Sequence, residues 1–208
     1  MGSYVRPSSF HTFDPIRLAP DSLTGAIDAS MEGEHEMLLH LVEGIDGLPE
    51  LNQGEKPPLD RATLLFISIL DWQDNGGAPI ALDGGHSRER LGRFPSNDGN
   101  AIEYLLEFTG RGEGASELLS LLTKLGRGLS DELFGNSGFN EGSGGIELLG
   151  WLDSNEVNEL RRGIEGGGWV VKSDEPLDGG VQDAFRHLLV FLRSASRRKC
   201  GILMRRHS

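Results

Sequence analysis

The chain has 208 residues, 37% hydrophobic and 25% charged, with a formal net charge of −12, which is enough chain for one stable core without staples. Its single cysteine, Cys200, has no partner within the chain, which fits a reducing compartment. Apolar runs such as 64–70 are far too short to cross a bilayer, and the N-terminus lacks the basic-then-apolar pattern of a secretory signal, so the expectation is a cytoplasmic protein without a membrane partner.

Tyr4-Val5-Arg6 and then Ser8 to Phe13 read as an N-terminal strand with an irregular lead-in, punctuated by Pro15 and Pro20. Pro20-Asp21-Ser22-Leu23 has the form of a helix start, with a weak helix to about Ser30. The spacing predicts a better helix over 34–45, because Met37, Leu38, Leu41, Val42 and Ile45 recur at the helical period. Residues 47–58 are a proline-rich loop. Asp60 then caps a helix running to about Trp72, apolar nearly all round and therefore central to the core.

Residues 74–99 read mostly as loop, with a short strand at 79–82. Helices with Leu-rich faces follow at 99–109 and 115–125. The seven glycines of 126–145 mark a flexible insertion. At 153–163 the signal is a capping box: Asp153 caps and Glu156, three residues on, returns to it, ahead of the stripe Val157, Leu160 and Ile164. Trp169 to Lys172 is a short strand. A long helix over 178–196 carries Val181, Phe185, Leu188, Leu192 and Ala195 on one face. Cys200 to Met204 is a closing strand, and Gly201 within it signals a bulge or a close backbone approach.

The predicted class is α+β: a mainly helical single domain over 1–208, with a small sheet formed by the N-terminal segment, residues 169–172 and residues 199–205. Strand direction stays open, since the last two strands flank a helix and fit either a parallel crossover or pairing with the N-terminal strand. Four of the five residues Cys200 to Met204 are apolar, so this strand is expected inside the sheet, with Arg205 and Arg206 emerging toward the acidic body.

Four stretches resemble the YfbM-like family of uncharacterised bacterial proteins. These are Arg17-Leu18-Ala19-Pro20-Asp21-Ser22-Leu23, Leu59-Asp60-Arg61-Ala62, Gly150-Trp151-Leu152-Asp153-Ser154-Asn155-Glu156-Val157, and Phe185 to Met204. The sequence departs from that family at Thr63, where an aromatic is usual, and residues 95–142 have no counterpart in it. The resemblance implies an α+β fold and a bacterial cytoplasmic protein, and brings no activity with it.

The charge is unevenly spread. Residues 1–150 hold 24 acids and 10 bases, a net of −14, whereas 151–208 hold 8 and 10, a net of +2. The last 25 residues carry seven Lys or Arg and no Asp or Glu. An acidic body repels phosphates instead of releasing their counterions, which counts against nucleic acid. The basic end is expected either to neutralise the body from within or to sit as a solvated face.

For chemistry, the loop 82–93 is the best candidate. It sets His86, Ser87, Arg88, Arg90 and Arg93 beside the flexible Gly84-Gly85 pair, and arginine forks suit phosphate or carboxylate. Asp71, Asp74 and Asp83 with His86 are a weak metal-ligand set, because no recognised ligand spacing is present. No phosphate-binding loop, hydrolase elbow or cofactor motif occurs, so no cofactor is expected. Trp72 and Trp151, at element ends, are candidates for exposed partner-binding anchors as well as core lids. The leading expectation is a non-catalytic acidic protein that binds a basic macromolecular partner, of immunity or inhibitor type. The alternative is a small-molecule or anion-binding enzyme using 82–93, with His86 as acid or base. Oligomeric state is not set by the sequence.

Overall fold

A computed structural model describes residues 10–43, 47–91, 99–110, 112 and 115–207; Tyr4-Val5-Arg6 and Ile45 lie outside them. Strand β1 (Phe10–Ile16) leads through a 3-10 turn at Pro20–Ser22 into helices α1 (Thr24–Met31), α2 (Glu36–Leu41) and α3 (Arg61–Ile69). Helices α4 (His86–Leu91) and α5 (Ala101–Phe108), strand β2 (Thr109–Gly110) and helices α6 (Ala115–Arg127) and α7 (Asp131–Phe134) follow. Then come β3 (Glu141–Gly142), β4 (Ile146–Leu152), α8 (Ser154–Gly166), β5 (Val170–Val171), α9 (Gly180–Arg198) and β6 (Gly201–His207). The class is α+β.

The strand order is β1-β6-β4-β3, all antiparallel, so β6, latest in sequence, is central. Cys200 to Met204 is buried throughout, as its composition requires. Gly201 is there because a Cβ would sit 2.6 Å from the Leu152 carbonyl oxygen. Helix α9 turns into β6 at Lys199, which takes a left-handed φ of 55°.

One expectation for the sheet needs correction, and one strand was not foreseen. Residues 169–172 do not join it: β5 pairs with β2 in a separate two-stranded ribbon. Their place is taken by β4, a strand hidden by its own bulge. The register shifts between Leu148 and Gly150, so Leu148 and Leu149 are consecutive apolar residues and the period-2 alternation is lost. Gly150 permits the bulge to press on α6, since a Cβ there would collide with the Lys124 carbonyl oxygen.

The sheet separates two cores. On one side Phe13, Leu152, Ile202 and Met204 pack with the stripes of α5, α6, α8 and α9. On the other, Ile16, Leu148, Trp151 and Leu203 pack with α1, α3 and the buried side of α2. Two of the caps the sequence signalled are present, whereas α1, whose start at Pro20-Asp21-Ser22 suggested Asp21 or Ser22 as cap, begins without a side-chain cap. The Asp60 side chain accepts from Thr63 N at the head of α3, and Asp153 and Glu156 form the reciprocal box of α8.

The stretch 126–145, expected as a flexible insertion, is built into the second core through buried Leu129 and Phe139. Asp60 ties it further: Ser143 N donates to Asp60 Oδ2 at 2.8 Å. Burial would raise the Asp60 carboxyl, but hydrogen bonds from Ser143 and Thr63 outweigh it and hold the group below its ordinary value. Glycines made this stretch look loose; Leu129 and Phe139 among them decided its place.

Helix α2 is shorter than the predicted 34–45, and its stripe is rotated. Leu38 and Val42 are buried, whereas Met37 and Leu41 are exposed.

Candidate functional site

Helix α4 turns Ser87 and Leu91, four residues apart, into the structure. The Ser87 hydroxyl meets Nδ1 of His187 on α9 at 3.2 Å, and the His86 ring meets the His187 ring edge-on with centroids 5.5 Å apart. Burial pushes the His187 imidazole below its ordinary value; Asp183 opposes this, while Arg186, His86 and Arg90 reinforce it. Nε2 of His187 has no hydrogen-bond partner among the described residues, and Asp183 Oδ1 stands 3.7 Å away.

Serine, histidine and aspartate together suggest an activated nucleophile, but this geometry opposes that use. Ser87 is only 4% exposed and His187 6%, and the carboxylate lies beyond hydrogen-bond distance. What the group does is dock α4 on α9. His86 and Arg90 are exposed while Ser87 points inward, so these three do not form one open donor set. The Arg88 side chain and Arg93 fall outside the described residues. Sequence reasoning missed His187, Asp183 and Arg186. The available signal was that His187 lies three residues after Ala184 and four before Phe191, on the buried stripe of α9.

The weak metal set does not assemble. Asp71 is held by Arg198 at 2.9 Å, Asp74 is exposed and Asp83 half-buried. Among the described residues no group of three His, Cys, Asp or Glu is placed to hold a metal ion. Trp151 is not an exposed anchor: at 5% exposure it packs edge-on against Phe134 with centroids 5.6 Å apart, under the Lys124 ammonium. Its place in a strand with helices on both faces leaves its ring almost no surface to offer a partner. Trp72 is half-buried, and its indole N–H donates to the Ile67 carbonyl at 2.9 Å. No helix among the described residues is long and apolar enough to cross a membrane.

Charge is where the regions differ most. Five of the seven cations in the last 25 residues have acidic partners: Arg186 with Asp183, Arg193 with Glu165, Arg198 with Asp71, Arg205 with Asp14, and Arg206 with Glu147. Arg197 and Lys199 remain without ion pairs among the described residues. Arg198, Arg205 and Arg206 thus neutralise acids of the body at 1–150, whereas Arg186 and Arg193 pair with acids of the C-terminal part itself.

The opposite holds between Arg17 and Lys56, where nine Asp or Glu occur without any Lys or Arg. Asp28 reaches Arg61 at 2.7 Å. Glu32, Glu34, Glu36, Glu43 and Glu50 are exposed, and their carboxylates form no ion pair with Lys or Arg among the described residues; Arg17 reaches only the backbone carbonyl of Glu43, at 3.4 Å. In their midst α2 is fixed from below. Nε2 of His35 lies 3.1 Å from the Asn52 carbonyl oxygen and 3.0 Å from that of Glu55. Carbonyls only accept, so Nε2 carries the hydrogen, and the Ser30 hydroxyl meets Nδ1 at 2.7 Å. On this base α2 holds up Met37, Leu39 and Leu41, 59%, 46% and 40% exposed.

Comparison with family models, curated proteins and solved structures returns no match for the chain.

Proposed function

We propose that this is a non-catalytic protein that binds a basic partner protein, of inhibitor or immunity type, through the acidic face around α2. The observation that carries this reading is the set of five exposed glutamates whose carboxylates form no ion pair among the described residues, in a molecule that pairs most of its C-terminal cations. Unpaired like charges repel one another and lower stability, so a face that keeps them is better explained by what it meets. Such a field steers a basic partner and rejects acidic ones. The closed Ser87–His187 contact supports the non-catalytic side of the reading, since neither group offers a surface to a substrate.

The test is binding of a fluorescent Lys/Ser peptide of 14 residues at 20 and 300 mM NaCl. The reading expects binding at low salt that is lost at high salt. It also expects binding to be abolished by Glu32→Gln, Glu34→Gln, Glu36→Gln and Glu43→Gln together. Neutralising four exposed acids elsewhere (Glu117, Asp131, Glu132 and Glu159) should have much less effect. Equal losses from both sets would mean that net charge alone binds, and the reading would fall.

A further inference from the structure

We propose that α2 itself is the recognition element, a helix that enters an apolar groove lined at its rim by Lys or Arg on the partner; this rests on the partner-binding reading above. Among the described residues eight large apolar side chains are exposed, and three of them sit on this one six-residue helix. At 100° per residue their positions are informative. Leu38 and Val42 point inward. Met37 and Leu41 lie together on one flank and Leu39 on the other, while Glu36 and His40 form the outermost edge. A flat partner would touch that polar edge and miss the flanks. A groove would straddle the helix and cover both, the mode by which helices are read in clefts.

The surrounding charge selects the occupant. Glu32 and Glu34 precede the helix, Glu36 lies on it and Glu43 follows it, all exposed. A groove with cationic rims would meet these carboxylates as its walls covered Met37, Leu39 and Leu41. A second copy of this chain would bring another net −12 to the same place, and an anionic lipid surface would be repelled likewise. His35, clamped between Ser30 and the Asn52 and Glu55 carbonyls, holds the helix ready in one orientation, which lowers the ordering cost of binding.

The experiment compares two 14-residue peptides of equal positive charge by fluorescence anisotropy at 20 mM NaCl. One is an amphipathic Lys/Leu helix and the other a Lys/Ser peptide. The native chain is expected to favour the Lys/Leu peptide by about tenfold or more, the factor that about 1.4 kcal/mol gives. The M37S/L39S/L41S variant should lose that preference yet keep salt-sensitive binding to both peptides. Its melting curve checks the fold, and V190S, an exposed apolar site on α9, should behave as the native chain. Equal binding of the two peptides, or a preference that survives M37S/L39S/L41S or is removed equally by V190S, overturns the role of α2 while leaving the partner-binding reading intact. Binding of neither peptide overturns both. A concentration-dependent dimer of the native chain that M37S/L39S/L41S abolishes would assign α2 to self-association and overturn the inference.

Discussion

The last 25 residues and the stretch between Arg17 and Lys56 are both strongly biased in charge, yet the fold treats them in opposite ways. Arg205 and Arg206 lie on the central strand, and the acids that meet them come from its two neighbours. Arg206 stands directly across from Glu147 in the ladder, and Arg205 donates through Nε to Asp14 on β1 at 2.5 Å. Cross-strand pairing of this kind is part of how the sheet holds its register. The glutamates around α2 support no such ion pair among the described residues. Charge at the C-terminus serves folding, whereas charge around α2 is left facing outward.

If the C-terminal segment is structural, removing it should be the most damaging change. Deleting residues 200–208 takes away the central strand and the buried Ile202, Leu203 and Met204. At about 1.5–3 kcal/mol for each buried side chain the loss is roughly 5–9 kcal/mol. That rivals the whole stability of an ordinary domain, about 5–15 kcal/mol. Circular dichroism should therefore show no cooperative melt. A truncated chain melting within a few degrees of the full one would reduce the segment to a tail.

A smaller effect separates paired from unpaired cations inside that segment. Arg205→Ala leaves the partly buried Asp14 carboxylate without its partner and removes the guanidinium lying 5.2 Å from the Phe66 ring centroid. Because the pair is partly solvated, the expected cost is about 1–2 kcal/mol. Arg197→Ala, at an exposed position without an ion pair, should stay within about 0.5 kcal/mol of the native chain. Denaturant midpoints would measure both. Equal costs would contradict the division between paired and free charge.

How much of this was legible in the sequence depends on whether the signal was local. The capping box of α8, the Asp60 cap and the apolar closing strand are written in adjacent residues, and each is found where expected. The bulged β4 was hidden because Leu148-Leu149 break the alternation that identifies a strand. Helix α2 was placed roughly but turned wrongly. Leu-rich helices match a 3.6 period in more than one rotation, and long-range contacts, the clamp on His35 from the loop at 52–55 and the packing of Leu38 and Val42 in the second core, fix which side faces in. The Ser87–His187 contact spans one hundred residues, so a serine in a loop and a histidine on a helix stripe gave no sign of each other. Pairing of the basic end was legible in sign from composition, but its individual partners are set by the sheet for Arg205 and Arg206 and by the packing of α9 for Arg193 and Arg198.

The smallest stability change should come from the acidic stretch, and its sign is the sharpest check on the comparison. Glu34→Gln, Glu36→Gln and Glu43→Gln together remove three exposed charges whose carboxylates form no ion pair among the described residues. No ion pair is lost, and the repulsion among neighbours is relieved. Glu36 lies in the first turn of α2, where a negative charge helps the helix by about 0.3–1 kcal/mol, so part of the gain is offset. The net should fall between zero and a gain of about 0.5 kcal/mol, larger at low salt because screening already weakens the repulsion at high salt. Thermal melts at 20 and 300 mM NaCl would show it as a difference that shrinks with salt. A loss above about 1 kcal/mol would mean that these glutamates hold the fold together as Arg205 does, and the contrast between the two regions would disappear.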